Sequence, residues 1–339
     1  LSPEGLEERL LTVIASAADE PDDPGPAEEL PSAPVVERAA IERALAQGDD
    51  LTGVAWPGAD LSKLSLIGRD LTGAMLSGCN LSGADLSGAR LVEAQLDGAN
   101  LESARLSEAD LTGANLRGAR GRHAQFDRAT LTDAVLAEAH FSAASFVGAK
   151  ASGAIFAGCV LDDATLAGAV LTEADLSGAS LRYAKLEDAM LDDARLYDAR
   201  GKGAVFDRAR GADLRADAAQ LSEASFIGCA MPGASFEGAR LTRTRWRTGN
   251  FDGANFAHAE ATGADFGGCR LRRSVWRGAR AAGAVLAGSD LMQADLAHGD
   301  FRRADLGGAN LYQAETWEAE LDEAQLEGAH VAGTKLEER

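Results

Sequence analysis

The sequence predicts an all-β chain built as a stack of short extended sides and tight corners, and three regularities predict it. First, from residue 51 to residue 336 every fifth position carries a large apolar side chain. Of these 58 positions, fifty hold Leu, Phe, Trp, Met or Val, and only Gly121, Ala151, Gly201, Gly211, Ala216, Ala261, Ala281 and Thr316 depart. Second, the position two residues before the large one is small: it occurs 57 times and is Ala in 43 of them. Third, Gly recurs two residues after the large position, as at Gly73, Gly78, Gly83 and Gly88. No insertion shifts the count, and self-similarity at a fixed short period marks a stacked solenoid.

Each part of the unit has a physical reason. A five-residue spacing makes no stripe on a helix, which turns every 3.6 residues, and no plain strand, which alternates every two. The small and large residues are two apart, so both point the same way along one short extended segment. The other three positions face outward and redirect the chain, and Gly there supplies a positive φ without steric cost. An Ala-sized slot keeps a narrow interior from being overpacked. Leu64, Arg69 and Leu214 break that rule and predict local distortion.

The units Ala-Asp-Leu-Ser-Gly (84–88), Ala-Asn-Leu-Glu-Ser (99–103), Ala-Asp-Leu-Thr-Gly (109–113) and Ala-Asn-Leu-Arg-Gly (114–118) resemble the pentapeptide-repeat proteins, and the resemblance runs over residues 51 to 336. It implies a right-handed quadrilateral parallel β-helix with four units per coil, hence about 14 coils, and at ~4.8 Å per coil a rod roughly 70 Å long. It implies no single function, because a fold does not carry one.

With four units per coil, residues twenty apart become neighbours. Phe126, Phe146, Phe206, Phe226, Trp246 and Phe266 then share one column with Leu166 and Leu186, which reads as an interior ladder rather than a ligand box. Gly121, Gly201, Ala261 and Ala281 share another side, expected to be dented there. Cys79, Cys159, Cys229 and Cys269 all take the small slot and read as compact buried hydrophobes, too far apart for disulfides and without zinc-finger spacing. The histidines (123, 140, 258, 298 and 330) face outward and are not close enough to share a metal. The glycines fall at corners rather than in a phosphate loop, and the acidic corners lack the cleft that paired catalytic carboxylates need. The expectation is a chain that is not an enzyme and takes no cofactor and no metal.

The first fifty residues differ in kind. Residues 1–19 read as a helix opened by Ser2 and Pro3, with Leu6, Leu10, Leu11 and Ile14 as its apolar stripe. Residues 20–34 read as an acidic proline-rich linker. Residues 35–50 hold a second helix, with Val36, Ile41 and Leu45 apolar, expected to cap the open edge of a repeat domain spanning 51–339. A first residue of Leu rather than Met suggests a piece of a larger bacterial protein. No run is apolar and long enough to span a membrane and no secretory signal is present, so a cytoplasmic location is expected, with non-classical export left open. At the far end little covers the last coil, which suggests end-to-end self-association. Tyr312 and Trp317 face outward there, and Trp317 is either an interaction residue or a lid over the last coil.

Charge supplies the remaining clue. The chain carries −20, of which residues 1–50 contribute −10. Residues 240–280 reverse the sign: Arg240, Arg243, Arg245, Arg247, Arg270, Arg272, Arg273, Arg277 and Arg280 face only Asp252, Glu260 and Asp265, for +6. This belt is the candidate partner-binding surface, with arginines paired to neighbouring acids as the bland alternative. Two functions follow. One is a non-enzymatic scaffold or adaptor that binds another protein and not nucleic acid; the layout and the entry segment Asp-Asp-Leu-Thr-Gly-Val (49–54) resemble repeat regions of type VI secretion adaptors. The alternative is the DNA mimicry of some pentapeptide-repeat proteins, which bind DNA gyrase or topoisomerase and protect it from toxins or quinolones. Against mimicry, ~70 Å of B-DNA holds about 40 negative charges, whereas the repeats sum to −10 and carry the positive belt.

Overall fold

The computed structural model describes residues 36–338. The chain divides into two units, Leu1–Pro34 and Val35–Arg339; the expected helix over 1–19 and linker over 20–34 lie outside the described residues.

From residue 51 onward one conformation repeats every five residues. In a representative unit the Ala84 N–H donates to Leu81 O (3.0 Å), closing a turn whose third residue, Gly83, has φ +64°. That position is in the left-handed region in every unit, whether Gly or not: Glu93, Tyr183 and Asp193 sit there at φ +56° to +57°. Three further bonds tie each unit to the next coil, such as Leu81 N–H to Asn100 O (2.7 Å), Gly83 N–H to Glu102 O (2.8 Å) and Asn100 N–H to Cys79 O (2.8 Å). All bridges are parallel and join residues twenty apart, from Ala55↔Met75 to Asn310↔His330, so four units make one coil.

One expectation needs correcting. No residue among those described lies in a β-strand; each side of a coil is a single bridging residue between two turns. The predicted all-β class, a β-helix or solenoid of short strands, therefore does not describe this chain. The reason is the period itself: after the small, bridging and large residues come two turn residues, the second with positive φ, so extension stops before a second residue can join the ladder.

The interior is filled by the counted positions. Large residues from Leu61 to Leu311 and nearly all small ones are buried to within a few per cent. The predicted aromatic column is stacked, with Phe126–Phe146 at 4.7 Å, Phe206–Phe226 at 4.7 Å and Phe226–Trp246 at 4.1 Å between centroids. A second column, Phe236, Phe256 and Trp276, faces it and meets it edge-on: Phe236–Trp246 at 5.0 Å and 86°, Phe266–Trp276 at 4.9 Å and 83°. Edge-to-face and offset contacts are the favoured aromatic geometries. The two tryptophans are served by hydroxyls that replace Ala in the small slot. Trp246 Nε1–H donates to Thr244 Oγ1 (2.7 Å) and Trp276 Nε1–H to Ser274 Oγ (2.8 Å), and each hydroxyl donates onward to a backbone carbonyl.

The expected dent is not open. A Cβ on Gly121 would lie within 2.5 Å of Phe141 Cδ1, and one on Gly201 within 2.8 Å of Leu221 Cδ2, so larger side chains of the next coil occupy that room. Leu214 likewise fits by exchange: it fills a small slot while Gly211 and Ala216 stand in the large slots on either side, and it is 1% exposed.

Helix α1, Arg38–Gln47, packs Ile41 into the core with Val36 and Leu45 alongside. It ends at Gly48, φ +74°, whose cap geometry returns backbone N–H groups to Ala44 O and Leu45 O. Arg69, the misfit of the first coil, donates from Nη2 to Leu45 O (2.7 Å), and Arg38 reaches Asp60 Oδ2 and Ser62 Oγ at 3.2 Å. The first coil has no coil before it, so its small slots can carry longer side chains toward α1.

All four cysteines are buried and free. Cys79, Cys229 and Cys269 donate to backbone carbonyls at 2.7 to 2.9 Å, and burial pushes the Cys79 thiol up to about 11 and those of Cys229 and Cys269 up to about 12. The native chain is therefore expected to leave Ellman's reagent unreacted at pH 8, with all four thiols titrating in guanidinium. Rapid native reaction would contradict this packing.

Candidate interaction surface

Among the described residues, no group of three or more His, Cys, Asp or Glu could hold a metal, and no helix is long and apolar enough to cross a membrane. What can act is the outward skin, built from the bridging residue and the two turn residues of each unit.

Much of the acidic skin has local work. An Asp or Asn at the bridging position accepts the N–H two residues on, as in Asp70 to Thr72 (3.0 Å) and Asp85 to Ser87 (3.0 Å). The Thr72 and Ser87 hydroxyls also donate to these carboxylates and hold Asp70 and Asp85 below the usual carboxylate range. A second pattern stitches coils together. An Asp at the first turn position accepts both the N–H twenty residues on and a Ser hydroxyl eighteen on: Asp162 takes Arg182 N–H (3.0 Å) and Ser180 Oγ (2.5 Å), and Asp207 takes Ile227 N–H (2.9 Å) and Ser225 Oγ (2.5 Å). Asp127 with Ser145 and Asp217 with Ser235 repeat it. The spacing of eighteen was visible in the sequence but meaningless without a coil length.

The nine predicted arginines spread around all four sides of the stack, and six of them meet acids. Arg240 and Arg280 both reach Glu260 (3.3 Å), one from each side. Arg247 pairs with Asp265 (2.5 Å), Arg272 with Asp290 (2.5 Å), Arg277 with Asp295 (3.0 Å) and Arg270 with Asp252. The Asp290 hydrogen bond raises the Arg272 pKa further. Arg273 donates to Gln293 (3.2 Å), while Arg243 and Arg245 enter no ion pair among the described residues. Exposed pairs of this kind contribute ~0–1 kcal/mol each to stability, and they reduce the field of the belt without removing it. Tyr312 and Trp317 lie two coils beyond Arg272 and Arg277 in the same columns. Tyr312 stacks on His330 at 5.5 Å, and Trp317 is 50% exposed with Lys335 Nζ 3.3 Å over its ring. Trp317 thus presents one face to solvent and the other to Lys335, in the 3-10 helix Lys335–Glu338.

No curated protein matches the chain. Among solved structures it is similar to HetL, a pentapeptide repeat protein involved in heterocyst differentiation regulation in the cyanobacterium Nostoc, at 25% identity over 88% of this chain and 98% of that one, with a TM-score of 0.31. It is also similar to QnrB1, a plasmid-mediated fluoroquinolone resistance protein, at 19% identity over 52% of this chain and 85% of that one, TM-score 0.36. The family model for pentapeptide repeats matches residues 50–118, 124–198, 219–245 and 249–338 in overlapping segments. Its gaps, at 119–123, 199–218 and 246–248, take in Gly121, the stretch with Gly201, Gly211 and Ala216, and Trp246. Matched over well more than half its length, the chain belongs to the pentapeptide-repeat family, whose proteins are non-catalytic.

Proposed function

We propose that this chain acts by binding alone, as a DNA-mimicking stack that engages a gyrase-type topoisomerase and shields it. Family membership supports the general role in non-enzymatic interaction. The observation that carries the finer reading is the fate of the arginine belt: six of its nine guanidiniums (240, 247, 270, 272, 277 and 280) are paired with five carboxylates of adjacent coils, Glu260 serving two of them. Two of these partners, Asp290 and Asp295, lie outside residues 240–280 and lower the belt from +6 to +4, within repeats that sum to −10. At about a quarter of duplex DNA's charge density, the contact depends on salt and is weaker than DNA's own.

A supercoiling assay tests this. Micromolar chain is expected to inhibit gyrase or protect it from a quinolone, with the effect fading as salt rises from about 50 to 200 mM. No effect at about 10 µM in low salt would leave the adaptor reading, for which the solvent-facing side of Trp317 is the anchor; pull-down with Trp317→Ala would then lose a partner.

A further inference from the structure

A surface trough of about 690 Å3 crosses three coils between residues 98 and 142. Its floor is bare because Gly98 and Gly118 hold successive corners at φ +64° and +63°, with nothing within 4 Å of where a Cβ would stand. Beside the floor, Asn100, Arg120 and His140 follow one another in a bridged column, and Glu102, Arg122 and Ser142 follow in the next. The arginines nearest in sequence are committed: Arg105 to Asp85 (3.8 Å), Arg117 to Glu138 (3.0 Å) and Arg128 to Glu108 (2.7 Å). Arg120 and Arg122 are exposed and enter no ion pair among the described residues, although Glu102 precedes Arg122 by one coil. Two guanidiniums two residues apart, opposed in the trough only by Glu102, leave a net positive charge at a concave place in a chain of net charge −20.

We infer that this trough is a binding site for a phosphate group, free or as a monoester. A guanidinium offers a planar fork of donors that matches phosphate oxygens. Two such forks match a dianion in charge, whereas a single carboxylate would satisfy only one. The Ser142 hydroxyl and the His140 imidazole line the same trough and add further donors. Gly98 and Gly118 let the ligand approach the backbone at the corner. Glu102 is the one opposing charge among the lining residues, which gives the site a signature of sign: removing that charge strengthens binding.

Calorimetric titration of the whole chain with inorganic phosphate and with O-phosphoserine, at fixed ionic strength, is the test, with succinate as a dicarboxylate control. One saturable site is expected. Binding weakens about tenfold or more in the R120Q/R122Q double variant, since hydrogen bonds to charged groups are involved, and tightens several-fold in Glu102→Gln. A gain in Glu102→Gln cannot come from misfolding. Tighter O-phosphoserine assigns the site to a monoester, and tighter inorganic phosphate to the free ion. Absence of saturation, equal binding by the double variant, or succinate binding as tightly as phosphate would overturn the inference.

Discussion

Gly121→Leu restores the residue most common at its position and is nonetheless expected to destabilise the chain by about 3 kcal/mol, the upper part of the usual overpacking range. The side chain would enter space held by the Phe141 ring, since even a Cβ would come within 2.5 Å of it. The interior is a stack of close-packed layers, and neither backbone can retreat without breaking the inter-coil bonds of Gly121 to His140 O (2.8 Å) and Phe141 to Val160 O (2.8 Å). Phe141→Leu alone should cost less than that, by cavity formation. The double variant G121L/F141L, with two ordinary units stacked in successive coils, should recover most of the loss. Denaturant unfolding of the four proteins makes the cycle, and a coupling term near zero would show that the two positions do not share one volume.

Trp246→Ala is expected to cost about 3–5 kcal/mol, the range for a large buried aromatic. Its ring stacks on Phe226 at 4.1 Å and Phe266 at 5.1 Å and touches Phe236, Phe251 and Phe256 edge-on, so five neighbours border the vacated space. The hydroxyl beneath it is tested separately. Thr244→Val keeps the shape and strands the indole N–H, which at a buried site costs about 1–3 kcal/mol. On a Trp246→Phe background the same Thr244→Val change should cost little, because no N–H is left to satisfy. Equal cost on both backgrounds would mean that Thr244 serves the backbone alone.

How much of this was legible in the sequence can be judged residue by residue. The inward positions were, because a five-residue count needs only the chain itself. So was the αL turn position, because Gly is concentrated there. The ladder of Phe126, Phe146 and their successors became legible once four units were assigned to a coil, and the facing column of Phe236, Phe256 and Trp276 had the same spacing. The β class was not correct: a single bridging residue between two turns meets no partner on either side of it in the ladder, so no strand forms. Arg69 read as a defect, and its purpose is visible only with α1 in place, where it donates to Leu45 O.

The candidate surface was less legible than the fold. The belt was found by counting charges, but counting cannot say that Arg247 turns to Asp265 and Arg270 to Asp252, each eighteen residues away. The trough at Arg120 and Arg122 was missed because a run of local net charge dilutes two cations among the acids around them.

By itself the sequence determined which side chains point inward, where the chain turns and that the pattern never loses phase, because those follow from local spacing and the steric needs of single residues. Only the tertiary structure decided which charges cancel, which glycines are filled by a neighbour and which arginines stand free. Those outcomes depend on what lies one coil away, and a contact across twenty residues is set by stacking, not by local spacing.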